Sequence, residues 1–508
     1  MGRAPHCTTS FGAMERSTPR IAIVGAGIAG LNAALTLHDA GLPCRVYEAS
    51  DRVGGRMHSD AATWGDGMVT EWCGEFIDAN HETLHRLISR FGLTTVDLGH
   101  LRGGRATSLL FFTNRFYGHE ELSRDFERLA PILQQQAEDV AFPVTAARQT
   151  TAAVHLDHLS VHDWITRYVP GAHEGPLGRL LENACTGFFG LDTHEQSALN
   201  LLSLFSTRDR VTAPASRPLH GSSRIHGGCA QLPRAIAGAL PEHRVRLGHR
   251  LTAIERLHDD SLALTFVTAD GNLDVTCDRV ILALPFSVLR HLDHSRAGFD
   301  SLKRAAIQEL GYGTISKLFL QFDQPYWYAR GRWPHHHSGF VITDLEIQTL
   351  WDASLGQRGS RGLLVDYTGG RRGAAYTPTT PYSTTFDSAI VQRYAGDCLR
   401  HAERVFPGIS RHYTGRAALS YPTGDLNLRG SYSCWRVGQY TGFAGYERER
   451  QGPILFAGEH CSVEFQGFME GAARAGARAA EEILRELSGP GHPDEPGMER
   501  PPVARQAS

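Results

Sequence analysis

Hydrophobic and polar positions alternate with two different periods along the chain. Apolar or alternating runs at 21–24 (IAIV) and 316–322 (SKLFLQF) predict β-strands, because successive side chains of a strand point to opposite faces. A longer amphipathic stretch at 125–141 (DFERLAPILQQQAEDVA) predicts a helix, as does an alanine-rich stretch from Gly467 to about Leu487. This mixture indicates the α/β fold class, and 508 residues suffice for two domains or one large composite unit.

The first predicted strand runs into a glycine-rich turn that is typical of a dinucleotide site. Gly25, Gly27 and Gly30 form a GxGxxG sequence between this strand and a predicted helix. Such glycines permit a tight turn and a close approach of the backbone to a pyrophosphate at the helix N-terminus. Glu48 ends the next predicted strand (CRVYEA), where a carboxylate can bind the hydroxyl pair of a ribose. Further predicted contacts are Ile28, Ala29 and Ala49. The alternative is a strand–turn–helix unit that binds no ligand.

The residues after Glu48 favour FAD over a nicotinamide dinucleotide. The sequence ASDRVGGRMHS contains Gly54, Gly55 and Arg56, and it resembles the flavoprotein pattern in which this loop wraps FAD. The planar, multi-donor Arg56 suits the pyrophosphate. A second part of the site is predicted near the C-terminus, where Glu459 would bind a ribityl hydroxyl and a helix N-terminus would face the flavin. The predicted contacts there are Gly458, Glu459, Gly467, Phe468 and Met469.

Together these motifs resemble the flavin-containing amine oxidase superfamily, which includes monoamine oxidases, polyamine oxidases, L-amino acid oxidases and lysine-specific histone demethylases. The matching residues are GxGxxG with its acid, GGR, a lysine strand ending in PYW, and FAGEH followed by GFMEGA. The resemblance implies an oxidase that transfers hydride from the α-carbon of an amine to flavin N5. The imine would hydrolyse to an aldehyde and ammonia or a smaller amine, and O2 would be reduced to H2O2.

The same resemblance implies a division of the chain. A discontinuous, Rossmann-like FAD-binding domain would comprise residues 19–105, 222–295 and 426–488. An α+β substrate-binding domain would comprise residues 106–221 and 296–425. A disordered leader and a disordered tail are expected at residues 1–18 and 489–508, since neither has the apolar content of a packed segment.

One lysine stands out in a chain that otherwise uses arginine. Lys317 and Lys303 are the only lysines among 51 basic residues; Lys303 lies in a polar stretch of helical pattern, whereas Lys317 lies in an apolar run. In the superfamily a lysine on this strand holds a water against flavin N5. Lysine suits that role because it is compact and can lose its proton on desolvation, whereas arginine stays charged. The alternative is a strand-edge lysine whose amine reaches solvent.

Aromatic residues near the C-terminus resemble the family's substrate cage. Tyr432 and Phe468 match two rings that flank a neutral amine in front of the flavin, with ordinary core aromatics as the alternative. Trp435 is a further candidate for contact with flavin or substrate, with a place in the hydrophobic core as an equal alternative. Leu251 matches an apolar residue near adenine. Some monoamine oxidases attach FAD through a cysteine where this chain has Ser431, so noncovalent FAD is expected.

The substrate class depends on the stretch EWCGEFIDAN at 71–80. L-amino acid oxidases carry an arginine here that binds the substrate carboxylate, and this chain has none. Asp78 matches a glutamate that polyamine oxidases use near a distal ammonium, and Glu75 is close to it; exclusion of water would strengthen that attraction. The alternative for both acids is a solvated loop or ion pairs with local arginines. An amine is favoured over an L-amino acid, and a non-catalytic, GDI-like binding protein is the alternative of another class.

Composition narrows the range of partners. A net charge of −3 gives no electrostatic reason to expect nucleic acid or an anionic membrane, and no apolar run reaches the roughly 18 residues of a membrane span. Nine dispersed cysteines and the lack of an apolar signal stretch indicate a cytoplasmic protein with free thiols. The histidines at 335–337 indicate a solvated loop rather than a metal site. The expected partners are a small-molecule amine or amino acid and O2, and a homodimer is left open.

Overall fold

The computed structural model describes residues 18–101, 107–207, 210–211, 223–331, 333–334 and 337–488. Except for residue 18, the expected leader and tail lie outside these residues. Two large sheets and a set of helices make up the described part, and the sheets bring together the segments that carry the motifs.

A five-stranded parallel sheet carries the glycine-rich turn. Its strands, in spatial order, are Val245–Arg246, Cys44–Tyr47, Ile21–Val24, Arg279–Leu282 and Ile454–Phe456. Every residue of the predicted strand at 21–24 is buried, as expected for a parallel strand covered on both faces. The carboxyl ends of parallel strands meet at one edge, so the turn after Val24, Glu48 and Gly458 come together there.

Two helices pack closely beside this edge. Ile28–Asp39 follows the glycine-rich turn, and Met469–Ser488 is the alanine-rich helix that the sequence predicted from Gly467 onward. A Cβ atom on Gly476 would lie 2.0 Å from the carbonyl oxygen of Ala29, so glycine is required for this approach. Asn32 also donates from its side chain to the carbonyl of Ala473 at 2.8 Å.

An eight-stranded mixed sheet carries Lys317 in a central strand, Ser316–Phe322, which we call the lysine strand. The order across the sheet is Tyr382–Thr384, Tyr413–Ser420, Ser316–Phe322, Gly362–Thr368, Thr349–Asp352, His337–Thr343, Thr107–Phe112 and Arg115–Phe116. The predicted strand at 316–322 is confirmed residue for residue. Its seven positions are all buried, because helices and loops cover both faces.

Smaller sheets complete the strand content. A four-stranded sheet contains Gly271–Cys277, Leu262–Thr268, Arg250–Arg256 and Asp293–Arg296. Two-stranded pairs join Ser59–Asp60 to Thr70–Glu71, Thr95–Asp97 to Ser223–Ile225, Gly311–Tyr312 to Ser433–Cys434, and Ser206–Thr207 to Arg210–Val211.

The helices fall mainly between these strands. The remaining α-helices are Glu82–Arg90, Leu98–Leu101, His119–Glu127, Ala130–Val140, Thr151–Asp157, Val161–Tyr168, Pro176–Phe189, Ala198–Phe205, Gln231–Ala239, Phe286–Leu289, Ser301–Glu309, Gly370–Ala374, Ala389–Val405 and Gln439–Phe443. Short 3-10 helices span Tyr326–Tyr328, Ile409–His412, Pro422–Gly424 and Glu459–Cys461. The helix predicted at 125–141 is two helices, because Pro131 has no N–H and fits only the first turn of the second one.

Other predictions meet the structure in different ways. Lys303 lies on a helix as predicted, but its side chain is fully buried. His337 begins a strand and is buried, so the solvated-loop prediction is wrong for it, while residues 335 and 336 lie outside the described residues. All eight described cysteines are free. Among the described helices, none combines the length and the apolar character that a membrane span requires.

Candidate active site

One cavity of about 930 Å³ runs from the glycine-rich turn to the lysine strand. Most of the predicted site residues line it: Gly25, Gly27, Ile28, Ala29, Glu48, Ala49, Gly54, Gly55, Arg56, Glu75, Leu251, Lys317, Tyr432, Gly458, Glu459, Gly467, Phe468 and Met469. The predicted residues that do not line it are Gly30, Asp78 and Trp435. The cavity therefore joins the proposed cofactor and substrate regions in one space.

The glycine-rich turn is shaped for a pyrophosphate. Gly25 has a φ of +102°, and a Cβ atom there would lie 2.6 Å from the carbonyl oxygen of Ala283. A Cβ on Gly30 would lie 1.9 Å from the carbonyl oxygen of Gly25, so this glycine serves the packing of the helix on the turn. A Cβ on Gly27 would meet nothing within 4 Å, because this glycine faces the open cavity. Its backbone can thus contact a ligand at the N-terminus of the helix.

Glu48 lies where a ribose is expected. It is buried at the end of its strand, and its carboxylate accepts hydrogen bonds from the Ala26 N–H at 2.7 Å and from the Ser50 N–H at 2.9 Å. These bonds fix the carboxylate at the cavity wall, and a carboxylate has further lone pairs to accept from hydroxyl groups. The turn, this acid and the two helix N-termini together fit a dinucleotide.

Arg56, 23% exposed, and the buried Glu459 form an ion pair at the cavity wall. Arg56 Nη1 donates to Glu459 Oε1 at 2.9 Å and to the carbonyl of Ser431 at 2.8 Å. Glu459 also accepts from the Ser433 N–H at 3.0 Å, the Ser433 hydroxyl at 2.6 Å and the Gly467 N–H at 2.9 Å. Burial opposes the charged carboxylate, but Arg56 and these hydrogen bonds outweigh burial and lower the pKa of Glu459. Glu459 therefore anchors both Arg56 and the turn before the C-terminal helix.

The Lys317 amine is enclosed by protein acceptors. Nζ donates to the carbonyls of Cys73 at 2.7 Å and Glu71 at 3.1 Å, and to Glu75 Oε2 at 3.2 Å. An ammonium has three N–H donors, so all three are used within the protein. The side chain is only 6% exposed, which excludes the alternative of an amine that reaches solvent.

Glu75 has two cationic partners. Besides Lys317, Arg224 lies with Nη1 3.5 Å from Glu75 Oε1, and both residues are buried. The ion-pair alternative for Glu75 is thus the one that the structure supports. Arg224 does not line the cavity, and its Nη2 donates to the carbonyl of Leu355. Sequence reasoning missed Arg224 because no local pattern relates it to the 71–80 stretch.

The two predicted cage residues both face the cavity. The hydroxyls of Tyr432 and Tyr367 share a hydrogen bond of 2.8 Å, and Tyr432 also donates to the carbonyl of Gly187 at 3.2 Å. A Cβ atom on Gly467 would lie 3.6 Å from the Tyr432 ring, so this ring borders the residue just before Phe468. The Phe468 ring centroid lies 6.0 Å from that of Phe188.

Beyond Lys317 and this aromatic pair the lining is largely apolar. The side chains there are Phe76, Phe188, Ile315, Ile342, Trp351 and Tyr367. Ile342, Trp351 and Tyr367 come from the strands on one side of the lysine strand, and Phe188 comes from the helix Pro176–Phe189. Ile315 directly precedes the lysine strand, and Phe76 lies in the segment between Thr70–Glu71 and Glu82–Arg90. We call this part of the cavity the apolar end. Asn183 also lines it, and its side-chain amide donates to the carbonyl of Thr343 at 2.6 Å.

Two predicted contacts do not match the structure. Trp435 is buried among Tyr440 and Phe443, with ring centroids 5.1 and 5.7 Å away, so it is a core residue. Asp78 is 42% exposed and lies near His81 instead of in the cavity lining. Glu75 and Phe76 line the cavity, and Asp78 lies beyond the buried Ile77, outside this lining.

Comparison with known proteins agrees with this site. The chain matches the family of flavin containing amine oxidoreductases over residues 28–484. It is 24% identical to a putrescine oxidase of Kocuria rosea, with 93% of this chain and 96% of the relative covered. It is 26% identical to an L-amino-acid oxidase of Mus musculus, with 93% and 72% covered.

Solved structures of the same fold are similar over almost their whole length. A cyclohexylamine oxidase from Brevibacterium oxydans has a TM-score of 0.75 at 20% identity, and the match covers 93% of this chain and 100% of that one. A wild-type putrescine oxidase bound to putrescine has a TM-score of 0.72 at 23% identity, with 92% and 99% covered. The family match over most of the sequence, which confirms the resemblance drawn from its motifs, establishes that this chain is a member of the flavin containing amine oxidoreductases, with FAD as its cofactor.

Proposed function

We propose that the protein is an oxidase of amines whose non-reacting end is apolar and uncharged, and that it holds FAD noncovalently. The observation that carries this proposal is the state of Glu75, the acid beside Lys317. Both of its carboxylate oxygens face buried cations, Lys317 and Arg224. Its negative charge is therefore already balanced by these cations, which makes Glu75 a poor partner for the second ammonium of a diamine.

The other acids of the described lining lie elsewhere in the cavity. Glu48, Asp51 and Glu459 belong to the dinucleotide side. Asp425 accepts a hydrogen bond from Tyr382 at 3.2 Å, and Tyr382 lies across the lysine strand from the apolar end. A substrate that extends from Lys317 into the apolar end thus meets aromatic and aliphatic side chains, which gain from contact with an apolar group.

An amino acid is disfavoured for a related reason. Its carboxylate would need a cation or several free N–H donors in the substrate region, since burying an unpaired carboxylate is costly. Lys317 uses its three donors within the protein, and Arg224 lies behind Glu75 and outside the lining. The L-amino-acid oxidase alternative therefore requires a rearrangement of this ion network.

The overall reaction is the conversion of an amine, O2 and water to an aldehyde, ammonia and H2O2. FAD supplies the two-electron acceptor when it is bound. The chain supplies the rest: Tyr432 and Phe468 would flank the amine, and the apolar end would hold its side chain and exclude water. Lys317 would fix a positive charge in the wall beside the reacting groups. In this proposal residues 106–221 and 296–425 form the substrate domain.

A peroxide-coupled assay with matched substrates tests the proposal. Phenethylamine, phenylalanine and putrescine each carry a primary amine. Phenylalanine also has a carboxylate, and putrescine has a second ammonium. We expect phenethylamine to give H2O2 and to bleach the flavin absorbance under anaerobic conditions, with much slower reaction of the other two. Reaction with phenylalanine alone would support the amino acid alternative, and reaction with putrescine alone would show that an acid such as Asp425 serves a distal ammonium.

A further inference from the structure

Three charged side chains form a buried row behind the cavity wall. Lys317 Nζ lies 3.2 Å from one oxygen of Glu75, and Arg224 Nη1 lies 3.5 Å from the other. The three side chains are all less than a tenth exposed. Two cations share one anion, so the row carries one net positive charge, and Lys317 and Glu75 are the members that line the cavity.

Among the three hydrogen-bond acceptors of the Lys317 amine, Glu75 is the charged one. The other two acceptors of Lys317 are backbone carbonyls, which orient an amine but carry no charge to balance it. A buried ammonium is expensive unless an anion faces it. Arg224 holds the second oxygen of Glu75 and so fixes the direction of the carboxylate toward Lys317.

The other ionisable groups around Lys317 are mostly neutral because they are buried. Burial raises the pKa of Glu71 to about 7, and it also raises the pKa values of Cys73 and Tyr367, which lie beside Lys317 on the facing segment and on the adjacent strand. The thiol of Cys229, next to Glu71, has its pKa raised in the same way.

On the far side of Arg224, burial also raises the pKa of Asp352. Glu75 accepts from the Lys317 amine with its carboxylate, whereas Glu71 accepts with its backbone carbonyl.

We propose that Glu75 is a positioning residue that pairs with the Lys317 amine and fixes its direction, and that Arg224 weakens this pairing by sharing the carboxylate. In this role Glu75 contacts Lys317, whereas the sequence predicted a contact between Glu75 and the substrate. The consequence for turnover rests on the proposed function, whereas the ionisation of Lys317 is a property of the folded chain and can be measured without a substrate.

The scarcity of lysine makes a direct measurement practical. FAD-loaded enzyme is produced in cells supplied with [13Cε, 15Nζ]lysine, so it carries two labelled side chains. The variant Lys317→Arg identifies which NMR signal belongs to Lys317. The chemical shift of the Lys317 signal is followed as the pH is varied, and the midpoint pH of its change is compared between variants. In Glu75→Gln we expect this midpoint about one to two pH units lower than in the parent, because an opposite charge at this distance has been removed.

Two further variants make the measurement specific. Arg224→Gln removes the competing cation, so the midpoint should move the opposite way, to higher pH. Glu82→Gln is the matched control, because Glu82 is exposed at the start of a nearby helix, and its removal should leave the midpoint unchanged. An unchanged midpoint in Glu75→Gln, or shifts of equal sign in Glu75→Gln and Arg224→Gln, would overturn the proposal. If Glu75→Gln fails to retain FAD, the direction of the shift in Arg224→Gln decides.

Activity gives an independent readout. With an amine substrate, the alkaline limb of the kcat/KM profile of Glu75→Gln should move to lower pH by the same interval as the NMR midpoint. A merely structural role would lower kcat/KM at all pH values without moving the limb, and that result would contradict the proposal. A protein that oxidises no amine but shows the NMR shift would refute the proposed function and leave the role of Glu75 intact.

Discussion

Replacing the buried Glu459 by glutamine tests how much its ion pair with Arg56 contributes to the stability of the FAD-loaded protein. Glutamine has the same shape but no charge, and it has one oxygen and one NH2 group. Whichever way the amide turns, its NH2 group faces either Arg56 or the Gly467 N–H, both of which are donors. The change therefore leaves a partly buried guanidinium without the charge of Glu459 and at least one donor without an acceptor.

The expected cost follows from the burial of Glu459, which is 4% exposed, and the partial burial of Arg56, which is 23% exposed. Breaking a buried ion pair by removing one partner costs about 3–5 kcal/mol, and 3 kcal/mol corresponds to roughly a hundredfold change in an equilibrium constant. The matched control is Glu464→Gln. Glu464 pairs with Arg474 at the same 2.9 Å distance, but these side chains are 66% and 46% exposed. An exposed pair of this kind contributes about 0–1 kcal/mol.

Urea titration of the FAD-loaded proteins, followed by flavin release and by tryptophan fluorescence, measures both changes. We expect Glu459→Gln to lose FAD and unfold at clearly lower urea than the parent protein, and Glu464→Gln to follow the parent closely. Equal midpoints for the two variants would refute the reasoning, because burial would then make no difference to the value of the pair.

Three further predictions concern single groups. The folded protein holds the proton of Glu71 up to about pH 7, whereas the unfolded chain releases it near 4.5, so unfolding free energy should fall as the pH rises between these values. Glu71→Gln should lack this fall, which is on the order of 3 kcal/mol, in urea titrations at pH 5 and pH 8. Tyr432→Phe loses the hydroxyl bonds but keeps the ring, so we expect a loss of about 1 kcal/mol in stability with turnover retained, checked by melting and peroxide assays. Acylation of the native protein should spare Lys303 and Lys317, and mass spectrometry should show two further additions only after unfolding in urea.

The cofactor contacts predicted from contiguous motifs line one part of the cavity. The turn at Gly25, the acid at Glu48 and the arginine at Arg56 lie within one short segment, where spacing along the chain fixes spacing in the fold. The direction of each side chain was harder to predict. Arg56 and Glu459 were each expected to contact FAD, and they contact each other.

The substrate half depends on contacts between distant segments. Glu75 and Lys317 are 242 residues apart, and Arg224 reaches them from a third segment. The periodicity within one segment carries no information about contacts with distant segments. Glu75 was therefore predicted to contact the substrate. Asp78 was predicted from its match to a glutamate of polyamine oxidases, and a match along the sequence does not show which side chains of the segment line the cavity.

The two lysines of this chain lie in similar packing environments. Lys303 Nζ donates to the carbonyls of Tyr446 and Glu447, and Lys317 Nζ likewise donates to two carbonyls. A compact ammonium fits such a cup of carbonyls, whereas the wide guanidinium does not. The two sites differ in what else the amine meets. Lys303 lies 4.0 Å from the centroid of the Phe456 ring, and burial lowers its pKa to about 8, whereas Lys317 meets a carboxylate in a cavity wall. Both amines are therefore enclosed by protein, and it is the adjoining cavity and Glu75 that indicate chemistry at Lys317.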